Sequence, residues 1–313
     1  MNSQLPMTKS PRVLVGAVSI LGFGLWALGV AHARGQERPL PDADSLFRAV
    51  RENLVRAERE THLYTYRERR TDIHTNPFGK LGTGGESLFE VYPSPARRLT
   101  YRRLIEKDGV RVPDARVAEQ DRRYRTRFAE VQKEIAARTA ADPRVLEGEA
   151  QRARERRQRA VDDVVDTLAF TIKGRVTHEG APAIAIGFTG KPDARPSTRQ
   201  GRIAQKFTGT LYVDERVNEV FSLEAISTDD ISYGYGMVAR LGEGTTVTLT
   251  REPVEGNLWM PTRLTMKGRG RALVVRRLVI DFAIDWFDYR RLPVESLAPF
   301  VDPRIQRQSD RSP

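Results

Sequence analysis

The chain has 313 residues, 39% hydrophobic and 30% charged, with a formal net charge of +11, a balance that suits a soluble globular body of one large β-rich domain or two small ones. It has no cysteine, which excludes disulfides, thiolate metal sites, thiol catalysis and an acylated lipobox cysteine. The positive balance favours anionic partners, or it reflects an arginine-rich solubilising surface.

Lys9 and Arg12 precede an uncharged apolar run from Val13 to Ala31, and Ala31-His32-Ala33 matches a small-x-small cleavage site. Residues 1–33 therefore read as an export signal. The run approaches the ~18–20 residues that span a bilayer, so a retained N-terminal anchor in the inner membrane is the alternative. The basic flank stays inside in both cases, which puts the body in the periplasm or otherwise outside the cytoplasm. Nucleic acid is thereby set aside as a partner. Residues 34–303 are expected to form a single domain and residues 304–313 a flexible tail.

After a short linker, Asp42–Glu60 has helical spacing, with Asp44 or Ser45 as cap and Leu46, Phe47, Val50, Leu54 and Ala57 as an apolar stripe. Strands follow at 63–73, 86–92 and 97–105, separated by a Gly-, Asn- and Pro-rich loop at 74–85 and by Pro93-Ser94-Pro95. From 115 to 168 the strand signals stop. Tyr124, Phe128, Val131 and Ile135 form a narrow helical stripe, Asp142-Pro143 breaks it, and a second helix carries the basic run Arg152–Arg159. The pattern predicts a charged helical hairpin inserted into the sheet. Its exposed face is either simply solvated or docks an envelope protein or an anionic membrane surface.

Strands resume at 170–178 and 182–188, with a loop at 190–201. The strongest alternation runs from Gln205 to Arg291. In its last segment Leu278, Ile280, Phe282, Ile284 and Trp286 share one face, and Asp281 and Asp285 lie on the other. Leu211 and Val213 are expected on the same side as Phe282. A one-residue slip would bury both aspartates, so the register should be firmly set.

Catalytic signals are few. His62, His74 and His178 have no metal-ligand spacing, no GxSxG elbow is present, and Gly187–Pro192 lacks the spacer of a phosphate loop. The pairs Asp162-Asp163, Asp229-Asp230 and Asp281/Asp285 give no sign of converging across a cleft. Tyr233-Gly234-Tyr235-Gly236 reads as a hairpin turn whose tyrosines could also line an opening. No cofactor, metal or enzymatic activity is expected.

Phe207-Thr208-Gly209-Thr210-Leu211-Tyr212-Val213-Asp214, then Val220 and Leu223, then Gly256-Asn257-Leu258-Trp259-Met260-Pro261-Thr262 make an ordered set of short motifs. Over 205–290 the chain resembles the outer-membrane lipoprotein-sorting, LolA/LolB-like superfamily. The resemblance implies an α+β fold: a strongly curved antiparallel sheet, or incomplete β-barrel, with helices on its concave side. It also implies binding of a lipid or lipoprotein acyl chain, and so points to Leu211, Val213, Leu278, Ile280, Phe282, Ile284 and Trp286 as the binding face. Two departures stand out: the long 115–168 insertion, and the missing lipobox cysteine, which rules out a LolB-like lipid-anchored receptor. The alternative is an envelope interaction or sensing module that acts through the charged hairpin with no bound lipid.

Overall fold

The computed structural model describes residues 39–75, 85–93, 100–141, 144–233, 239–272 and 276–292. The segment expected to be an export signal, most of the segment 74–85 expected to be a loop, the glycines of 233–236 expected to turn a hairpin, and the expected tail lie outside the described residues. The chain divides into two compact units, residues 1–39 and 40–313, and every element below belongs to the second.

In chain order the elements are α1 (Ala43–Glu60), β1 (Tyr64–Thr75), β2 (Gly85–Tyr92), β3 (Tyr101–Lys107), β4 (Val110–Arg111), α2 (Asp114–Ala141), α3 (Arg144–Thr167), β5 (Leu168–His178), β6 (Ala181–Gly190) and α4 (Arg199–Ala204). After α4 come β7 (Phe207–Asp214), β8 (Glu219–Ser227), β9 (Ile231–Tyr233), β10 (Ala239–Leu241), β11 (Thr246–Val254), β12 (Leu258–Ala272) and β13 (Arg276–Arg291). All strands join one 13-stranded antiparallel sheet in the order β4-β3-β2-β1-β13-β12-β11-β8-β7-β6-β5, with β10 and β9 added beside β12. The sheet does not close on itself, since β4 and β5 remain its two ends. The pairing register shifts at Thr65/Arg67, Leu88/Phe89, Ile172/Gly174, Tyr212/Val213 and Thr250/Arg251, and such bulges and irregularities bend and twist strands and so curve the sheet. The fold is the expected α+β arrangement with a curved, open sheet.

Helix α1 lies across one face of this sheet. Its cap is Asp42, whose carboxylate accepts from the Ser45 amide at 2.9 Å, slightly upstream of the expected position. Leu46 and Val50 pack with Ile184, Ile186, Val213 and Val220. Two turns further on, Ala57 packs with Tyr64, Leu258 and Met260. Leu54, expected in the same stripe, is 37% exposed at its margin. One helix thus spans strands on both sides of β11.

Polar contacts fix its position. Asn53 Nδ2 donates to the Val217 and Asn218 carbonyls in the β7–β8 turn, at 2.9 and 3.0 Å. Arg56 Nη2 lies 3.0 Å from Glu219 Oε1, and the other Glu219 oxygen accepts from Arg251 Nη1 at 3.2 Å. Glu219 is 1% exposed and Arg251 6%. Arg251 also donates to the Val220 and Trp259 carbonyls, so its buried guanidinium is well supplied with acceptors. Burial pulls the Arg251 pKa down, and the Glu219 carboxylate opposes that.

The predicted hairpin is present as α2 and α3, and its ends have a specific placement. It leaves the sheet after β4, at one end of the strand order, and re-enters as β5, at the other end. Near its start α2 covers the edge of β3. The Gln120 amide gives to the Leu104 carbonyl and takes from the Leu104 amide, at 3.1 and 3.0 Å, as a neighbouring strand would. Tyr124 stacks on Tyr101 at 4.4 Å, and Tyr101 Oη donates to Asp121 at 2.8 Å. At its far end, α3 holds the 190–201 segment through Asp163, which accepts from the Ser197 and Thr198 amides at 2.9 and 2.8 Å. Part of that segment, expected to be loop, is the short helix α4.

Two outcomes are expected. Glu219→Ala leaves the Arg251 charge buried and unpaired and should cost about 3–5 kcal/mol in urea unfolding, whereas a Glu219→Leu/Arg251→Met double variant should lose much less. The second concerns pH. The Thr198 hydroxyl, with the Ser197 and Thr198 amides, holds the Asp163 carboxyl at about 2, below its ordinary 3.8. A depressed carboxyl stabilises the fold above its unfolded pKa, and that contribution is lost as pH falls through the folded value. The stability contribution is therefore lost between about pH 4 and pH 2, while the Thr198 amide resonance of the folded protein should titrate with its midpoint near pH 2, and Asp163→Asn should abolish that titration.

Candidate functional site

The pairing register aligns apolar side chains from seven successive strands. Ile284, Leu264, Leu249, Leu223, Leu211, Ile186 and Ile172 are paired in line from β13 to β5. The neighbouring row is Phe282, Met266, Val247, Ala225, Gly209, Phe188 and Phe170. Directly paired residues point to the same side of a sheet, so both rows form one apolar face. This is the face that carries α1, since Ile172, Ile186, Leu211 and Phe170 belong to the cluster around Leu46 and Val50. The opposite face reads Asp285-Arg263-Thr250 and Ala283-Thr265-Thr248 across the same strands. It is laced by polar pairs such as Arg263–Asp285 at 2.9 Å and Thr248–Thr265 at 2.6 Å.

The helix does not seal this apolar face. Leu223, Leu249, Leu264, Val247, Met266 and Phe282 are only partly buried, while Ile184, Ile186 and Val213 beneath α1 are 0–1% exposed. The result is a trough with a covered side at β6–β8 and a half-open floor through β11–β13.

Gly209 is required within it. A Cβ there would collide with the Glu224 carbonyl oxygen and press on the Phe188 ring. Asp214, the last residue of the same motif, holds the β7–β8 turn by accepting from the Arg216 amide at 2.8 Å. The later motif is structural too. Leu258 and Met260 seat the end of α1, and the Trp259 and Pro261 carbonyls accept from Arg251 and from Tyr289 Oη, at 2.7 and 2.6 Å. Burial raises the Tyr289 pKa, which keeps that hydroxyl a donor.

The register brings six of the seven sequence-derived residues to one face as side chains. Val213 is sealed under α1 and Leu211 packs beside it. Ile284 is buried, while Ile280 and Phe282 are half-buried on the floor. Trp286 is half-buried and donates from Nε1 to Glu68 Oε2 at 3.2 Å. The Leu278 side chain lies outside the described residues; its backbone pairs with Gly270.

Beyond β13 the trough changes character, because Trp286 pairs with Glu68 and Ile284 with Arg70. Glu68 is 1% exposed and accepts from Arg70 Nε and Arg102 Nε at 2.6 and 3.3 Å. This charged border was missed in the sequence, where 63–73 reads only as a first strand. Its only signal was the period-two spacing of Glu68 and Arg70 with Tyr66.

The described residues contain no group of three or more His, Cys, Asp or Glu placed to hold a metal. None of their helices is long and apolar enough to cross a membrane. His178 stacks on Tyr212 at 3.5 Å with Nε2 3.0 Å from Ser222 Oγ, but Ser222 is 3% exposed and the pair serves packing on the polar face.

No protein-family model and no curated protein matches the chain. Several solved structures are similar to it over most of their length. A DUF1329 family protein from Desulfovibrio piger is 12% identical, with 84% of this chain and 98% of that one covered and a TM-score of 0.27. A LolA superfamily protein from Nitrosomonas europaea is 10% identical, with 83% and 98% covered and a TM-score of 0.28. An outer membrane lipoprotein-sorting protein domain from Vibrio parahaemolyticus is 7% identical, with 82% and 97% covered and a TM-score of 0.27. What the trough can hold follows from its register and burial, not from these likenesses.

The two faces should respond differently to charge. Phe282→Asp puts a carboxylate on the apolar floor and should lower stability by at least about 2 kcal/mol. Asp281→Asn, one residue away on the wet face, should stay within about 0.5 kcal/mol. Thermal melts of the two variants check this.

Proposed function

We propose that this protein is an extracytoplasmic, non-catalytic binding protein whose trough takes the acyl chain of a lipid or lipoprotein. The observation that carries this reading is the pair of apolar rows across seven strands, left half-open through β11–β13. Seven strands at about 4.8 Å spacing make the apolar face about 29 Å across, of which the half-open floor at β11–β13 is about 10 Å. An acyl chain has no polar handle, so it needs an extended apolar surface and few specific groups. Its transfer from water offers about 0.8 kcal/mol per CH₂, or roughly 10 kcal/mol gross for a twelve-carbon chain. No covalent step is required. The charged border at Glu68, Arg70 and Arg102 gives the polar end of such a ligand a place to stop. Location outside the cytoplasm rests on the basic, apolar and small-x-small order of residues 1–33.

Native mass spectrometry of the protein drawn from cell extract should show bound lipid, and a fluorescent fatty acid should bind the emptied protein. Leu249→Trp fills the middle of the floor. It should weaken fatty-acid binding at least tenfold and leave the melting temperature within a few degrees of the parent. If the protein's own side chains already fill the trough, no lipid copurifies and Leu249→Trp instead overpacks the core, at about 1–3 kcal/mol. Capture of an envelope protein that depends on α2–α3, without any lipid, would favour the interaction reading.

A further inference from the structure

The outward side of α1 borders a cavity separate from the trough, and what it could bind does not depend on the trough holding lipid. At about 100° per residue, Arg48, Arg51, Val55 and Arg59 fall opposite Leu46, Val50 and Ala57. Those arginines, with Arg56, line a cavity of ≈ 580 Å³ that α3 borders through Gln158. The volume falls in the range of about 300–1,000 Å³ usual for small-molecule pockets.

The four guanidinium groups are not equivalent. Arg51 pairs with Asp162, and Arg56 with Glu219 at 3.0 Å. Arg48 and Arg59 make neither a hydrogen bond nor an ion pair among the described residues, yet both face the cavity. They stand at its two ends, eleven residues apart, or about 16 Å along the helix. Between them the lining is the paired Arg51 and Arg56, Glu52, Val55 and the Gln158 amide. Glu52 and Glu60 also border the space, which disfavours a ligand that is anionic throughout. Guanidinium forks match phosphate oxygens in a bidentate way.

We propose that the α1–α3 cleft binds an anion with two separated phosphate esters joined by a neutral, hydroxyl-bearing spacer. Arg48 takes one phosphate and Arg59 the other, while Gln158 and Val55 meet the spacer. The two phosphates belong either to one diffusible bisphosphate or to neighbouring headgroups at a membrane surface.

The test uses the full chain and two probes, fructose 1,6-bisphosphate in solution and vesicles of phosphatidylglycerol in phosphatidylcholine. Calorimetry should show binding to at least one of them, and none to pure phosphatidylcholine vesicles. Arg48→Gln/Arg59→Gln should weaken it at least tenfold with an unchanged unfolding midpoint. Arg116→Gln/Arg122→Gln, which removes the same charge from the exposed side of α2, should change it less than twofold. Binding of the soluble bisphosphate assigns a diffusible ligand, and binding of vesicles alone assigns a headgroup surface. The proposal is overturned if neither probe binds, or if the α2 variant weakens binding as much as the α1 variant does. Fatty-acid affinity measured on the same Arg48→Gln/Arg59→Gln protein should be unchanged, which separates failure of this site from failure of the trough.

Discussion

Glu219 sits where helix and sheet must agree. Its carboxylate is almost fully removed from water and is shared between Arg251 from the sheet and Arg56 from α1. A charge in that position is tolerable only while both partners are in place. The apolar contacts of Leu46, Val50 and Ala57 supply the attraction between α1 and the sheet, but hydrophobic contact has little direction. The Glu219 pairing, with Asn53 on the β7–β8 turn, sets where along the strands the helix stops. That choice covers β6–β8 and leaves the floor toward β13 half-open.

The sheet's two faces then take on different work. One presents two aligned rows of aliphatic and aromatic side chains; the other presents threonines and cross-strand ion pairs. Such division is ordinary for an antiparallel sheet with one wet side. Here the apolar side is broader than the single helix that lies on it. A binding role needs only this surplus of apolar floor and the charged border at Glu68, with no reacting group in the middle. The same helix shows arginines to the cleft beside α3, so α1 separates an oily environment from a cationic one.

Much of this was legible in the sequence. Alternation from Phe207 to Arg291 predicted strands and the face of Phe282, and the stripe of Leu46, Val50 and Ala57 predicted a helix packed on them. The two long helices between 114 and 167 follow from the loss of alternation and the break at 142–143. Pairing order was not legible, because a period of two says which face a residue takes and nothing about its neighbouring strand. The burial of Glu68, Glu219 and Arg251 was not legible either, because a charge in a strand gives no sign of a partner from a distant segment. β4 and α4 are too short to impose a period. The arginine stripe at 48, 51 and 59 was present in the residues but overshadowed by the denser basic run at 152–159.

The strand order has a consequence for how the chain can be made. β1 pairs along its length with β13, so Tyr64 waits for Arg291 and the middle of the sheet is the last seam to form. A nascent chain that ends before residue 276 holds two ribbons, β4 to β1 and β12 to β5, tied through the helical hairpin and through α1, which packs on β5 to β8 and ends beside β12. Contacts this far apart in sequence make folding slow. A polypeptide with that topology keeps its central seam unsewn until its last strand is made, which leaves β1 in need of protection until that strand arrives.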